Sequence, residues 1–292
     1  MRNQTASRQC RFLRETDLDQ LFETFNDAFS DYTLPSTLTE PQFHQHLDTN
    51  AVDVCRSVGC FEGDKMIGFS LNGFGEWNGL KTVYDAGTGV IPDKRRQGIS
   101  TAMFDLMLPA FKAEGVEQFL LEVITTNEAA VNLYKKLGFE IRRELVLLKS
   151  ENFENPDDQT RERFDLCEIL EADWPLFESF WDAWPSWQNS PASIGRVPES
   201  KRIVGAFSGD VCVGYVIYSK AMGGVAQLAV DRAHRNQGIA TMLLAHVHNT
   251  RNPEHDVRIV NSDTSLTAAM QLFASRGFVE VVRQFEMIKP LS

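Results

Sequence analysis

Three stretches of this chain occur twice, in the same order. Phe61-Glu-Gly63-Asp64-Lys-Met-Ile-Gly68-Phe69 returns as Phe207-Ser-Gly209-Asp210-Val-Cys-Val-Gly214-Tyr215. Val90-Ile-Pro-Asp-Lys-Arg95-Arg-Gln-Gly98-Ile-Ser100 returns as Val230-Asp-Arg-Ala-His-Arg235-Asn-Gln-Gly238-Ile-Ala240. Leu133-Tyr134-Lys-Lys-Leu-Gly138-Phe139 returns as Leu272-Phe273-Ala-Ser-Arg-Gly277-Phe278. The offsets are 146, 140 and 139 residues. Collinear repeats at a near-constant offset mean two copies of one fold. A length of 292 residues suits two domains at the usual ~100–200 residues each. The first domain is expected at 1–150, a linker at 151–161 and the second domain at 162–292. The polar, acidic run Ser150-Glu-Asn-Phe-Glu-Asn-Pro156 marks the junction.

Within each copy the patterning alternates. Leu18, Leu21, Phe22, Phe25 and Phe29 share one helical face after Thr16, a candidate N-cap. Strands are expected at 9–14, 58–62, 66–74, 80–91, 119–125 and 139–149, and helices at 98–114 and 128–137. The second half repeats this with strands at 163–169, 202–218 as a hairpin, 224–230, 256–261 and 278–288. Its helices are expected from 173, at 238–249 and at 265–275. Strands alternating with helices, plus a hairpin, define an α/β class in which a mixed sheet is covered by helices.

The net charge of −11 is shared by both halves, −5 over 1–150 and −6 over 151–292. Neither half is a basic domain, which disfavours nucleic acid or an anionic membrane as partner. Five irregularly spaced cysteines with no C-x-x-C argue against a disulfide framework or a zinc knot. The first residues lack the apolar core of a signal peptide, and no run reaches a membrane span. These readings together predict a cytoplasmic protein, as monomer or homodimer.

The chemistry concentrates after Val90. A strand ends, Lys94-Arg95-Arg96-Gln97-Gly98 follows, and a helix begins. Glycine lets the backbone approach a bulky ligand, and the first helical amides point outward unsatisfied. Such a helix end attracts anions. Three cations in an acidic chain add to it, so the pattern predicts a phosphate or pyrophosphate site. The arrangement is not a P-loop, and Gly87-Thr-Gly89 lacks the third glycine of a dinucleotide fingerprint.

Arg95-Arg-Gln-Gly98-Ile-Ser100 and Arg235-Asn-Gln-Gly238-Ile-Ala240 resemble the [RQ]-x-x-G-x-[GA] acyl-CoA signature of the GCN5-related N-acetyltransferase (GNAT) superfamily. Asn127-Glu-Ala-Ala130-Val-Asn-Leu133-Tyr134-Lys-Lys-Leu-Gly138-Phe139 is similar to that family's N-x-x-A-x-x-L-Y-x-x-x-G-F segment. The resemblance spans nearly the whole chain as a tandem pair of GNAT-like domains. It implies acetyl-CoA as co-substrate, no metal, and transfer of an acetyl group to a primary amine of a small molecule or peptide by direct attack in a ternary complex. The acyl-CoA contacts it implies are Val90, Ile91, Arg95, Arg96, Gln97, Gly98, Ile99, Ser100, Thr101, Asn127 and Tyr134. In the second copy they are Val230, Arg235, Asn236, Gln237, Gly238, Ile239 and Ala240. Tyr134 is the implied acid, or a hydrogen-bond partner, for the departing thiolate.

Ser100 departs from the signature by a small change. Leu266 stands where Asn127 does, and Phe273 where Tyr134 does, so the second copy is expected to hold the coenzyme without standard catalytic groups. The alternative reading is a non-catalytic acyl-CoA-binding sensor or scaffold module. For the base, Tyr84 lies six residues before Val90, where many family members carry glutamate, and Asp85 points to the other strand face unless a bulge swaps them. Glu122 is as well explained by an exposed or salt-bridged strand residue. Trp174, Phe177, Trp181 and Trp184 fall at helical spacing, which reads first as a packed helix and second as an aromatic wall of an acceptor pocket. Loops 30–57 and 185–200 are expected to shape that pocket. The pairs His44/His46 and His246/His248 diverge by about 200° on a helix and read as surface or packing residues, not a shared metal site.

Overall fold

Strands and helices alternate through the chain in the computed structural model, which describes residues 8–31, 37–150, 153 and 163–291. It divides into two compact units. One comprises Met1–Val123, Asn127–Arg142 and Glu286–Ser292, the other Ile124–Thr126 and Arg143–Phe285. The division differs from the one expected at residue 150. Residues 143–150 belong with the second unit and residues 286–292 with the first. Of the expected linker, only Phe153 is described, and it is buried in the second unit's core.

In the first unit β1 (Arg8–Phe12), β2 (Val58–Glu62), β3 (Lys65–Trp77), β4 (Leu80–Val90) and β5 (Gln118–Ile124) follow one another across the sheet. β1 to β4 pair antiparallel, and β4 and β5 run parallel. The last residues of β12 (Val279–Pro290) sit next to β5, and the Leu291 amide donates to the Glu117 carbonyl at 2.8 Å. Helices α1 (Leu18–Ala28), α2 (Glu40–Thr49), α3 (Ile99–Ala113) and α4 (Glu128–Lys136) cover the sheet. Phe104, Phe111, Phe119 and Phe139 meet in edge-on or tilted ring contacts between α3 and the sheet.

Two local expectations needed correction. Thr16 does not cap α1: it lies inside a short 3₁₀ turn, and Asp17 accepts from the Arg14 amide and the Arg11 guanidinium instead. Residues 40–49, read as loop, are a helix. Thr39 accepts from the Gln42 amide, Gln42 reaches back to the Thr39 amide, and Pro41 sits in the first turn.

The second unit repeats the plan with β6 (Glu140–Ser150), β7 (Asp165–Glu168), β8 (Arg202–Ser208), β9 (Val211–Tyr218), β10 (Gly224–Val230) and β11 (Val257–Asp263), in the order β6-β11-β10-β9-β8-β7. Its helices are α5 (Trp174–Ser179), α6 (Pro191–Arg196), α7 (Ile239–Thr250) and α8 (Thr267–Ser275). The helix expected from residue 173 stops at Ser179, so Trp181 and Trp184 do not share a helical face with Trp174. Residues 191–196, read as loop, form α6. No helix among the described residues is long and apolar enough to cross a membrane.

Candidate active site

The site begins where two parallel strands part. β4 pairs with β5 only from Thr82–Gln118 to Asp85–Leu121, although both strands run on. The cause lies on the other side of β4. Asn72 of β3 faces Asp85, but Leu71 faces Gly87, so Ala86 is an extra residue, a β-bulge. His46 of α2 holds it, donating from Nε2 to the Ala86 carbonyl at 2.8 Å. The Asn50 amide donates to His46 Nδ1 at 3.3 Å, which places the ring proton on Nε2. Burial lowers the His46 pKa, so the ring stays neutral.

Farther along, β4 runs into the loop singled out by the repeat. Arg96 and Gly98 take left-handed backbone angles, φ +61° and +75°. A Cβ at Gly98 would meet nothing within 4 Å. Its glycine is therefore required by conformation and by open approach, not by crowding. As N-cap of α3 it supplies no side chain, so the first amides of the helix are left for a ligand. Arg96, Gln97 and Gly98 are exposed, whereas Ile91 and Ile99 are buried and offer only backbone.

Arg95 departs from the expected phosphate cation. Its Nε donates to the Val90 carbonyl at 3.1 Å, Nη2 to the Ala28 carbonyl at 2.9 Å, and both Nη atoms pair with Asp31 at 2.6 and 2.7 Å. The side chain fastens the strand end to the end of α1. Arg235 repeats these bonds, to Val230 and Phe180 carbonyls at 3.1 Å each and to Asp182 at 2.8 Å. The loop's outer side is held alike in both units: Arg8 donates to the Gln97 side chain at 2.5 Å, and Arg163 to that of Gln237 at 2.8 Å.

At the apex of the parted strands the structure brings together Asp85 and Tyr134, with the Tyr134 hydroxyl 3.3 Å from Asp85 Oδ2. Asp85 also accepts from the Gly87 amide at 2.9 Å and from the Thr88 hydroxyl at 2.8 Å. Burial pushes its pKa up to about 6, against the lowering effect of those donors. Tyr134 is buried between Phe104 and Phe139, with ring centroids at 5.8 and 5.7 Å. Tyr84 is not part of this group. The bulge falls after Asp85 and leaves Tyr84 on the opposite strand face, where it is buried. Asn127 is the N-cap of α4, its Oδ1 accepting from the Ala130 amide at 3.2 Å. Glu122 is half-buried on β5.

The second unit copies the backbone but not the groups. β10 carries its bulge at Ala226, its parallel pairing with β11 ends at Val225–Ile259, and Asn236 and Gly238 take φ +60° and +85°. Val225 occupies the position of Asp85, Phe273 that of Tyr134 and Leu266 that of Asn127. Val225 and Phe273 belong to the apolar core, and Leu266 makes no cap bond. A cavity of about 700 Å³ opens here, with Trp181, Tyr215, Gln227, Arg235 and Asp263 among its lining. Trp181 donates to the Tyr215 hydroxyl at 2.5 Å, which donates to Gln227 at 2.6 Å, and Gln227 in turn donates to the Asn189 carbonyl at 2.5 Å. The tryptophan cluster thus contributes Trp181 and Trp184 to a cavity wall, while Trp187 is buried. Sequence reasoning missed His46, Thr88 and this polar chain.

The comparisons agree with the geometry. Residues 18–139 match the model of the acetyltransferase (GNAT) family, and residues 182–288 that of an acetyltransferase (GNAT) domain. An N-alpha-acetyltransferase of Sulfurisphaera tokodaii is 31% identical over 44% of this chain and 78% of its own length. A thialysine N-epsilon-acetyltransferase of Mus musculus is 34% identical over 30% of this chain and 51% of its own. Among solved structures, a tandem GNAT protein from the clavulanic acid biosynthesis pathway superposes with a TM-score of 0.74 at 13% identity, covering 98% of this chain and 99% of that one. The chain belongs to the GNAT acetyltransferase family, as a tandem pair of its domains, and is an acyltransferase.

Proposed function

We propose that the first unit transfers an acetyl group from acetyl-CoA to a primary amine of a small molecule or peptide, by direct attack in a ternary complex. The observation that carries this is the Asp85–Tyr134 pair at the point where β4 and β5 part, on the strand that leads into the open Gly98 corner. The residues fit the co-substrate. The unpaired edge of β4 up to Val90 suits the amides of the pantetheine arm, and the α3 amides with Arg96 suit its pyrophosphate. Acetyl-CoA supplies the acyl group as a thioester.

An alkylamine has a pKa near ~10.4, so making it neutral at pH 7 costs about 4.6 kcal/mol. That proton is lost to solvent, and Asp85, ionised above about 6, takes up the second proton, which the nitrogen releases as it attacks the thioester. Tyr134 gives its own proton to the departing thiolate, a transfer uphill by roughly 2 kcal/mol between ordinary values. The protonated carboxyl at 3.3 Å then restores the phenol, a strongly downhill step. Tyr84 has no place in this scheme.

For the second unit we infer acyl-CoA binding at Val230 and Arg235–Ala240 without chemistry, because Val225, Leu266 and Phe273 fill the apex. The amine-acceptor reading rests on the same family likeness, and the cytoplasmic one on the irregular cysteines of the sequence. Calorimetric titration with acetyl-CoA tests the whole: two sites in the wild type, one lost in Gly98→Glu and the other in Gly238→Glu, support it. No binding, or binding unaltered by Gly98→Glu and Gly238→Glu together, overturns it.

A further inference from the structure

β1 and β2 pair in one unbroken register, from Arg8 opposite Glu62 to Phe12 opposite Val58. One step beyond, the Leu13 amide donates to the Ser57 carbonyl at 2.9 Å, which makes that opposed pair a hydrogen-bonded one. Pair types alternate along an antiparallel ladder. Stepping back residue by residue, Arg11–Gly59 is hydrogen-bonded and Cys10–Cys60 is not. Non-hydrogen-bonded pairs hold their Cα atoms roughly 4.5 Å apart with side chains at their closest. That lies within the ~4.4–6.8 Å span a disulfide accepts. Each thiol shifts the acidity of the other, and both are free.

The pair has a reachable and a sheltered member. Cys10 is half-buried and Cys60 fully buried. Cys10 and the Arg8 guanidinium hold the Cys60 pKa below its ordinary value, while Cys60 and burial raise that of Cys10. Packing does not demand sulfur at this place. In the second unit the corresponding opposed pair is Leu166 and Ala206.

We propose that Cys10 and Cys60 are a modification site: an oxidisable dithiol that closes to a cross-strand disulfide on reaction with a low-molecular-weight disulfide. The pair gives up one proton, and the reachable Cys10 sulfur attacks the oxidant. Its S–S bond breaks and one thiolate leaves with that proton. Cys60 then displaces the second thiolate from the mixed disulfide and yields its own proton. Two protein thiols are oxidised and one small disulfide is reduced to two thiols. The fastened strand is the one that carries Arg8, the residue bonded to the Gln97 carbonyl and side chain. The proposal does not depend on the acetyl-transfer reading.

The test uses the full chain treated with excess oxidised glutathione, quenched by alkylation, then measured by intact mass and peptide mapping. The expected product is a Cys10–Cys60 link, with loss of two hydrogens, reversed by dithiothreitol. The linked protein should melt roughly 5–10 °C higher. Cys60→Ser should trap glutathione on Cys10. Cys10→Ser, altered at the half-buried position, should give no link and leave Cys60 unmodified, and it stands as the control if Cys60→Ser does not fold. A wild type that takes glutathione on Cys10, or only on the exposed Cys55 and Cys167, without ever forming the link would overturn the proposal.

Discussion

Where β4 parts from β5, the first unit sets a carboxyl and a phenol 3.3 Å apart; where β10 parts from β11, the second sets Val225 and Phe273. The bulge, the left-handed glycine and the arginine that ties strand end to helix end are the same in both. The second unit therefore shows what the backbone needs, and neither Asp85, Tyr134 nor Asn127 is on that list. Asp85 is even a burden. Burial that moves a carboxyl from 3.8 to about 6 costs about 3 kcal/mol once it is ionised. A group that weakens the fold and has an apolar counterpart next door is best explained by chemistry.

The comparison can be broken most directly at Asp85. Asp85→Asn should lower turnover by roughly 10²–10⁴-fold in a steady-state assay with acetyl-CoA and an amine. The same substitution should leave the protein at least as stable above pH 6. A variant with undiminished turnover would make Asp85 only a staple of the bulge. Tyr134→Phe makes the first apex resemble the second in one atom. Turnover is expected to drop ~10-fold or more with little change in KM, and an unaltered kcat removes the acid role.

Acidity offers a third probe. Below about pH 6 Asp85 is protonated, so the fall of kcat/KM with falling pH should steepen there by a further ~tenfold per unit. Stability moves the other way. The unfolded chain releases this proton near 3.8 and the folded chain near 6. Asp85's contribution is therefore greatest below 3.8 and is lost by roughly 3 kcal/mol as pH rises through 6. Urea melts of wild type and Asp85→Asn across that window should differ in slope. The smallest effect belongs to the helix cap. Asn127→Leu, which copies Leu266, should cost about 1 kcal/mol of stability, and a denaturant midpoint that does not move would assign the residue to the ligand instead.

Much of the fold was readable because the repeat printed the glycines, strands and helix starts twice. β10 matches its expected bounds, and most other strands and helices fall within two residues of theirs. The capping box Thr39–Gln42 marks the start of α2, but the helix buries only Phe43 and Leu47, too few to show a helical period in the sequence. The choice between Tyr84 and Asp85 was not readable, because the bulge depends on how β3 and β4 pair and on His46, forty residues away from Ala86. Arg95 misled because a cation beside a phosphate loop looks like a ligand contact until its three protein acceptors are seen.

The assignment of Glu286–Ser292 to the first unit has a consequence for synthesis. Until the ribosome has passed Glu286, β5 lacks the neighbour that covers its open side, and an uncovered strand edge invites pairing with other chains. The unit that carries Asp85 and Tyr134 is thus completed only after the second unit has been made, so a product stopped before Glu286 is not expected to work.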